Sequence, residues 1–374
     1  MRIGIDARVM TLKASGIGRY ALEMIKSIAS LPEAGDHEFI LYPGRMTEIL
    51  QLPDNWTYST RKISSRGILR SPLFSLIAEH DGLDVFYSTD YLGPVLPMPC
   101  RTVITVHDLI PIIYPGIIKG FQHRLVGNYL LPHAIRHASV VVSVSEATKK
   151  DILDYIQIPE GKVTVVYEGK NPSFYPRLAD NLTVRETRSY YGVGDCPYIL
   201  CLSVCDPKKN ASASIKAFAE MIRRLECECL LFMAGSAEKG ERELERMAGE
   251  LKVRDRVIFA GFIPDEQLPI LMSGARALCF PSLYEGFGLP VLEAMACGCP
   301  VITSNISSLP EVAGDAALQV DPNDIQQLSR AMEKLLTDDT LYDDLKARGI
   351  SRAKRFSWEN AASQLLDILI ATDT

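Results

Sequence analysis

The 374-residue sequence lacks any long hydrophobic run, and no stretch reaches the about 18 apolar residues that a membrane-spanning helix needs. It also lacks a strong charge of either sign, since 40 basic residues stand against 46 acidic ones, a net charge of −6. Nucleic-acid-binding domains are usually basic, so this balance argues against one. The chain starts with MRIGIDARVM, without a signal-peptide pattern, and we therefore expect a cytoplasmic protein. If it works at a membrane, we expect it to lie on the inner face of the plasma membrane.

Cysteine occurs nine times, an odd number, and the sequence lacks pairs with the two-residue spacing of zinc or redox centres. Cys227 and Cys229 are separated by one residue, as are Cys297 and Cys299. Several cysteines sit in apolar runs, where this residue behaves as a small hydrophobic side chain. The Asp-x-Asp triplet is also absent, so we expect no metal bound through that motif and no cofactor besides the substrates.

Short apolar runs alternate with helical stretches along the whole chain, a pattern typical of βαβ units and parallel sheets. The strand-like runs are 3–5, 39–42, 85–87, 102–106, 140–144, 163–167, 198–204, 229–234, 257–262, 277–281, 299–303 and 317–320. A chain of this length is comfortable for two domains. We predict an N-terminal domain over 1–175, a C-terminal domain over 176–356 and a final amphipathic helix over 357–374. The segment 168–176 and the polar residues up to 195 are predicted to link the domains.

The segment 277–305, ALCFPSLYEGFGLPVLEAMACGCPVITSN, has the most specific chemical pattern in the chain. It predicts a strand, a loop that contains Gly286 and Gly288, and a helix from Pro290 that ends at Gly298. Such a turn directs the first amides of the helix forward, where the helix dipole favours an anion. The segment therefore predicts a phosphate-binding turn, whose amides belong to Phe287, Gly288 and Leu289.

Two carboxylates flank this turn. Glu285 lies in the loop and Glu293 follows eight residues later, in what is predicted to be the first helical turn. Because a carboxylate only accepts hydrogen bonds, a pair beside a phosphate site suits the hydroxyl groups of sugars. The alternative is that Glu293 only complements the helix dipole and that Glu285 is a solvated loop residue.

The run EGFGLPVLEAMACGCPVITSN closely resembles the EGFGLPxLEAMAxGxPVIxSN signature of glycosyltransferase family 4, the retaining nucleotide-sugar enzymes of the GT-B fold. The resemblance implies two Rossmann-like doubly wound domains that face each other across a cleft, with the last helix crossing back to the first domain. It implies that Glu285 meets the transferred sugar and that the amides of Phe287 to Leu289 hold the diphosphate and sugar. Glu293 would then bind the ribose hydroxyls.

A second glycine-containing loop follows the first strand, where Gly16, Ile17, Gly18, Arg19 and Tyr20 open a helical pattern. A strand, a glycine loop and a helix at the start of a chain suit a dinucleotide site. The G-x-G-x-x-G spacing is absent, however, because position 21 is Ala, so a nicotinamide enzyme is weakly supported. The GIGRY run instead resembles the N-terminal loop of family 4, which implies that Gly16 and Gly18 approach the donor phosphates and the acceptor.

His107 comes directly after the predicted strand 102–106, in the run VHDL. Ligands of open parallel sheets bind at the carboxyl ends of the strands, so a polar residue there is well placed for function. A lone histidine is nevertheless more often structural. The run resembles the family pattern in which this histidine reaches the donor sugar, which favours a functional role for His107.

In the C-terminal half, DPKKN follows a predicted strand and carries Lys208 and Lys209, whose ammonium groups suit a departing diphosphate. Two lysines before a helix are also commonly just solvated. The run resembles the family segment whose lysine contacts the diphosphate, which implies that role for Lys209. Many members carry an Arg at the position of Val204, and whether Lys208 takes its place is left open.

The GFIP run matches the segment that meets the nucleotide base, which implicates Phe262 and Ile263.

The SNISSLPEVAGDAAL run and the PKKN form are most similar to bacterial mannosyltransferases of surface polysaccharides. This similarity implies GDP-mannose as the donor and a saccharide or lipid-linked saccharide as the acceptor. A UDP-sugar-dependent hexosyltransferase remains an alternative, as does a sugar-nucleotide epimerase or binding protein of the same fold.

The run RKISSRGILRSPLF, residues 61–74, has four basic and no acidic residues, and predicts either a solvated loop or a peripheral membrane contact.

Overall fold

The computed structural model describes residues 1–10, 16–44, 50–60, 70–90, 94, 97–115, 125–178, 181–225, 227–235 and 240–371, and it describes residues 70–74 by their backbone alone. Its internal contacts divide the chain into two compact units. The first unit comprises Met1–Gly169 together with Phe356–Thr374, and the second comprises Lys170–Arg355.

The first unit is built on a parallel sheet of seven strands in the order β3-β2-β1-β4-β5-β6-β7. The strands are β1 (Arg2–Ala7), β2 (Glu38–Pro43), β3 (Trp56–Tyr58), β4 (Val85–Ser88), β5 (Arg101–Val106), β6 (Val140–Ser143) and β7 (Val163–Val165). Its α-helices are α1 (Gly16–Ala29), α2 (Arg70–Asp81), α3 (Ile110–Ile113), α4 (Leu131–His137), α5 (Glu146–Ile156) and the final helix, Trp358–Ile370. Val126–Leu130 is a π-helical segment that leads directly into α4.

The second unit repeats this architecture with six parallel strands in the order β10-β9-β8-β11-β12-β13. The strands are β8 (Tyr198–Leu202), β9 (Leu230–Ala234), β10 (Val257–Gly261), β11 (Ala277–Phe280), β12 (Val301–Ser304) and β13 (Ala317–Val320). Its α-helices are α6 (Leu182–Tyr190), α7 (Ala211–Leu225), α8 (Glu241–Glu250), α9 (Leu268–Gly274), α10 (Leu289–Ala296), α11 (Leu309–Ala313), α12 (Ile325–Thr337) and α13 (Asp339–Ala353). The final helix of the chain, in the first unit, is α14.

Both sheets follow from the short apolar runs of the sequence. Strands covered on both faces are mostly apolar, and every residue of β4, β8, β11 and β12 is buried. In each sheet the chain first extends in one direction and then returns to the other side of its first strand, as in doubly wound folds. The reversal lies between β1 and β4 in the first unit and between β8 and β11 in the second. Ligands of such sheets bind beside these strand ends.

The final helix α14 packs on α1 within the first unit. Its residues Trp358, Leu365 and Leu369 are buried, and the guanidinium of Arg101 donates a 2.6 Å hydrogen bond to the carbonyl of Ile368. Ser357 begins the helix, since its side chain accepts a hydrogen bond from the backbone amide of Asn360. The end of the chain therefore completes the core of the unit in which the chain starts.

One local prediction differs from the structure, one strand was not predicted, and one prediction lies outside the described residues. The polar residues before Asp195 were assigned to a linker but contain α6, capped by the side chain of Asn181 and packed on α9 in the second unit. The short edge strand β3 was not predicted, because Trp56–Tyr58 is too brief to show alternation. In the predicted basic contact over 61–74, residues 61–69 lie outside the described residues, as do the side chains of 70–74.

Candidate active site

The glycine turn lies at the reversal point of the second sheet. β11 ends at Phe280, the loop 281–288 follows, and α10 begins at Leu289 with Pro290 as its second residue. Gly288 caps the helix at φ 114° and ψ 43°, a conformation that strains any side-chain-bearing residue. The helix closes with Gly298 at φ 72°, whose amide and that of Cys299 bond back to the carbonyls of Met295 and Ala294, a Schellman motif.

An ion pair joins the two sides of this reversal point. Lys209 ends a short 3-10 turn, Pro207–Lys209, after β8, and its Nζ lies 2.5 Å from Oε1 of Glu285 in the loop after β11. Their side chains are 11% and 9% exposed. The same ammonium lies 4.8 Å from the centre of the Phe280 ring, which adds a cation–π contact. Two residues 76 positions apart in sequence, both predicted as catalytic, are therefore brought together at the strand ends.

Ser282 supports this pair from the loop. Its hydroxyl donates to Oε1 of Glu285 at 2.6 Å and lies 3.0 Å from the carbonyl of Lys208. The amide of Leu283 donates to the same carbonyl at 2.7 Å, so the two loops are joined through their backbones. The positions of Lys209 and Glu285 are thus fixed by main-chain contacts as well as by their mutual attraction.

A serine pair before α11 holds the glycine turn from the other side. The hydroxyl of Ser308 lies 2.9 Å from the carbonyl of Glu285 and 2.7 Å from that of Phe287. The hydroxyl of Ser307 accepts from the amide of Glu285 at 3.1 Å and contacts its carbonyl at 2.5 Å. These contacts orient the peptide groups that lead to Gly288. The serines stand in the SSLPEVAG run, but only the fold shows which loop they contact.

Glu293 lies deeper than expected. Because α10 begins at Leu289, Glu293 is the fifth residue of the helix and not in its first turn, which is a correction to the sequence analysis. It is 3% exposed, so neither a surface role nor an interaction with the first-turn dipole accounts for it. Gly286 and Phe287 are also buried in the loop before the helix.

Lys208 is placed differently from its neighbour. Its Nζ lies 3.9 Å from Oδ2 of Asp206, and its side chain is more exposed than that of Lys209. Asp206 caps the turn by accepting from the amide of Lys208 at 3.1 Å. Val204 is buried. Gly235 lies so close to the backbone of Val204 that a Cβ added to Gly235 would be 2.8 Å from the Val204 amide nitrogen.

Phe262 and Ile263 follow β10, two strands away from β8. The pairing of β10 with β9 shifts register between Phe259 and Gly261, a bulge of the kind that redirects a strand end. Beyond it, Phe262 is 73% exposed while Ile263 is buried. The structure therefore presents one aromatic side chain at the carboxyl edge of the second sheet, where the sequence analysis expected the base.

His107 lies at the corresponding edge of the first unit, directly after β5. Its Nε2 donates to the carbonyl of Thr89 at 2.9 Å, and its Nδ1 lies 3.4 Å from Oε1 of Glu168. Burial alone would lower the pKa of His107. The hydrogen bond and charge of Glu168, the charge of Asp90 and the Thr89 carbonyl outweigh burial and raise that pKa above its ordinary value.

A buried hydroxyl cluster lies beside His107. The hydroxyls of Tyr20 and Tyr87 are 3.0 Å apart, and Oγ1 of Thr105 lies 3.2 Å from the first and 2.8 Å from the second. Burial raises the pKa of Tyr87 to about 12 and that of Tyr20 well above its usual value, so both remain neutral. The Tyr20 ring also packs edge-on against His107 at 4.6 Å. Tyr20 belongs to the GIGRY run, whose Gly16 and Gly18 form the start of α1.

The predicted site residues therefore divide between the units. Gly16, Gly18 and His107 belong to the first unit, and the second holds Lys208, Lys209, Phe262, Ile263, Glu285, Gly286, Phe287, Gly288, Leu289 and Glu293. Among the described residues, no cluster of three or more His, Cys, Asp or Glu is placed to hold a metal ion. None of the helices that the structure describes is long and apolar enough to cross a bilayer.

Two Rossmann-like units of this kind are the architecture of the GT-B glycosyltransferases. Sucrose-phosphate synthase from Thermosynechococcus elongatus matches with a TM-score of 0.75 and 19% identity, covering 98% of each chain. HepE of Anabaena, solved in complex with UDP and glucose, matches with a TM-score of 0.73 and 19% identity over 99% of each chain. The expected fold class is confirmed.

Sequence comparison identifies the family. Residues 14–174 match the glycosyltransferase family 4 model, and residues 186–352 match that of glycosyl transferases group 1. O-antigen chain mannosyltransferase B of Escherichia coli is 31% identical over 98% of this chain and 99% of its own length. The serotype-specific mannosyltransferase WbdA of Escherichia coli is 31% identical over 73% of this chain, and the match covers 34% of WbdA. The chain belongs to glycosyltransferase family 4, as its central signature indicated, and it is a glycosyltransferase.

Proposed function

We propose that the protein is a retaining mannosyltransferase that moves mannose from GDP-mannose to a saccharide or lipid-linked saccharide acceptor in surface polysaccharide synthesis. The mannosyltransferases named above support the sugar and the process. Support for the donor's binding site comes from the Lys209–Glu285 pair beside a glycine turn at the sheet reversal. That pair is the observation on which the proposal depends.

In the proposed donor complex, each group of the second unit has a distinct role. The diphosphate lies at the N-terminus of α10, where the helix dipole is positive. Lys209 binds the diphosphate, Glu285 accepts from a sugar hydroxyl, and Glu293 accepts from the ribose. Phe262 and Ile263 contact the base. Lys208, partly paired with Asp206, contributes positive charge at the entrance to the site.

Transfer with retention requires the acceptor to enter on the face from which the diphosphate leaves. In the proposed step, the bond between the anomeric carbon and the diphosphate oxygen breaks as the acceptor oxygen bonds to that carbon. A diphosphate oxygen takes the acceptor's proton, so no protein base is needed. The negative charge that develops on the leaving group is stabilised by Lys209 and the helix amides, with no metal in the proposed step.

His107 is proposed to orient the donor sugar and not to act as a base. Its ring nitrogens already contact Thr89 and Glu168, and its raised pKa favours the protonated form, which has no lone pair to accept a proton. Gly16 and Gly18, at the start of α1, are proposed to approach the donor phosphates and the acceptor.

The decisive experiment incubates the purified protein with a panel of GDP- and UDP-sugars, scored first by thermal shift and then by transfer to mannose-containing acceptors. We expect stabilisation by GDP-mannose and an α-linked mannoside by NMR, since GDP-mannose carries an α-linked sugar. Lys209→Ala should abolish most transfer, while Lys216→Ala, at an exposed position of α7, should not. A β-linked product would refute retention, and stabilisation by UDP-sugars alone would refute the donor.

An epimerase or binding protein of the same fold would convert or retain GDP-mannose without an acceptor. Equal turnover of the donor with and without acceptor would therefore favour that alternative.

We further propose that the enzyme works in the cytoplasm, with a peripheral contact at the inner face of the plasma membrane through residues 61–74. Loss of co-sedimentation with anionic vesicles after neutralising the four basic residues of that segment would support this contact, and unchanged co-sedimentation would refute it.

A further inference from the structure

The hydrogen bonds of His107 determine the state of its ring. The Thr89 carbonyl can only accept, so Nε2 of His107 must carry a proton to make its 2.9 Å contact. In the neutral ring, Nδ1 would then present a lone pair to Oε1 of Glu168 at 3.4 Å, and two acceptors would face each other. A proton on Nδ1 replaces this repulsion with a charge-assisted hydrogen bond.

The surroundings of the ring strengthen this preference. The side chains of His107 and Glu168 are 9% and 6% exposed, so water screens their interaction weakly. Asp90, after β4, also acts on the ring with its negative charge, while the Tyr20 hydroxyl from α1 stays neutral. Asp6, near the carboxyl end of β1, is bound to Arg8 in a buried ion pair of its own. Glu168 is therefore the anion in direct contact with the ring.

We propose that Glu168 is a positioning residue of the transferase, which holds His107 in one orientation and keeps it as an imidazolium. The proposal rests on the proposed function, because it gives His107 a fixed positive charge to present to the donor. It also explains why a histidine that cannot act as a base stands at the carboxyl end of β5.

Glu168 is itself anchored by the end of the chain. The next residue, Gly169, lies so close to α14 that a Cβ there would meet the amide nitrogen of Trp358 at 2.1 Å. The Trp358 ring packs edge-on against Tyr20 at 5.7 Å, and Tyr20 packs against His107 at 4.6 Å. Within the first unit, His107 thus packs on Tyr20, Tyr20 packs on Trp358, and Trp358 packs on Gly169. Gly169 follows Glu168, whose carboxylate returns to the His107 ring. This packing restricts the position of the Glu168 carboxylate that faces the imidazole.

The test measures the charge of His107 directly. In full-length protein with labelled histidines, NMR titration follows the His107 ring, identified by the signal lost in His107→Gln. We expect the wild-type ring to titrate above the ordinary histidine value of about 6.5 and Glu168→Gln to lower the midpoint. If the wild-type His107 ring titrates at or below about 6.5, the proposal is overturned, and this result needs no variant at position 168.

Steady-state kinetics measure the consequence for transfer. Glu168→Gln should lower kcat by about tenfold to a hundredfold and leave the donor KM within about twofold, because a misplaced group affects the transition state most. Glu168→Asp keeps the charge and should recover part of kcat and of the titration midpoint. Glu160→Gln is the matched control, since that glutamate is exposed and pairs with Lys149 on the surface of the same unit.

The outcomes separate this proposal from the proposed function. If Glu168→Gln leaves both the titration midpoint and kcat unchanged while the wild type transfers mannose, the positioning role is refuted and the function stands. If the wild type transfers no sugar, the function fails, and the titration still decides whether Glu168 sets the charge of His107. A fall in kcat with an unchanged midpoint would also overturn the proposal, because the effect would not pass through the imidazole.

Discussion

Nζ of Lys209 lies 2.5 Å from Oε1 of Glu285, so the cation proposed to meet the diphosphate is paired with the carboxylate proposed to meet the sugar. Both side chains are about nine-tenths buried, and each neutralises the other. A diphosphate entering at the N-terminus of α10 would compete with Glu285 for the ammonium. Glu285 would then accept from a sugar hydroxyl in its place. In the structure, the pair leaves neither buried charge uncompensated.

Lys209→Ala is expected to reduce kcat by about 100-fold to 1,000-fold with a smaller change in donor KM, because the lysine's interaction with the leaving group grows in the transition state. It also leaves Glu285 buried without its cation, which should cost about 3–5 kcal/mol in the free energy of unfolding. Denaturant unfolding followed by circular dichroism measures the second effect. Lys208→Ala, at the more exposed neighbour, should show smaller changes in both, and equal activity of Lys209→Ala would refute the leaving-group role.

Glu293→Gln is expected to raise the donor KM with a smaller effect on kcat, because a ribose contact forms before the transition state and persists through it. Losing one charged hydrogen bond costs about 1.5–3 kcal/mol, or about tenfold to a hundredfold in KM. Donors lacking one ribose hydroxyl identify the partner: the wild type should discriminate against them and the variant should not. Glu250→Gln, on the exposed end of α8, serves as control. Undiminished discrimination by the variant would exclude the ribose contact.

The sequence was sufficient to predict the alternation of strands and helices and the glycine turn, because both depend on short-range patterns. Every strand with a long apolar run was found, and the turn before α10 was placed to within one residue. The short strand β3 and the helix α6 were missed because neither has a clear apolar pattern. The roles inferred for the site residues came from resemblance to a family and stay predictions.

What the sequence could not predict are contacts between distant segments. Ser307 and Ser308 hold the glycine turn from 21–23 residues away, and Glu168 meets His107 across 61 positions. Serine and glutamate are common on surfaces, so their types alone carried no signal. Only the order of strands in each sheet brings these segments together.

Gly288→Ala is expected to destabilise the second unit and weaken donor binding for two separable reasons. A side chain at φ 114° costs about 1–3 kcal/mol, and the new Cβ would lie 2.8 Å from Cδ2 of Leu309. Adding Leu309→Ala should remove the clash but not the strain, so the double variant should be more stable than the summed single effects predict. Gly249→Ala in α8, where a Cβ has open space, is the control. Strict additivity would contradict the predicted contact.

The cysteines should divide by burial when the native protein meets a thiol reagent. Five are buried and four are partly exposed: Cys201, Cys229, Cys279, Cys297 and Cys299, against Cys100, Cys196, Cys205 and Cys227. Burial also raises the pKa of Cys229 and Cys297 to about 12, which suppresses the reactive thiolate. Titration with Ellman's reagent should therefore detect at most four thiols in native protein and nine in guanidinium chloride. Rapid reaction of more than four without unfolding would contradict the packing of the second unit.

The stability of the first unit should depend on pH through His107. Because the folded state raises the pKa of His107, the imidazolium stabilises the unit fully below the unfolded value of about 6.5. This contribution is lost as the pH rises through the folded pKa. Trp56 and Trp358, the only tryptophans in the chain, both belong to the first unit, so their fluorescence reports its unfolding in urea.

The urea midpoint of the wild type should therefore fall as the pH rises over the interval above about 6.5. In His107→Gln, whose side chain does not titrate, this part of the fall should disappear. His80→Gln, at an exposed histidine of the same unit, should leave it in place. A wild-type midpoint that rises over this interval, or an equal fall in His107→Gln, would show that the buried imidazole does not bind its proton more tightly in the folded state.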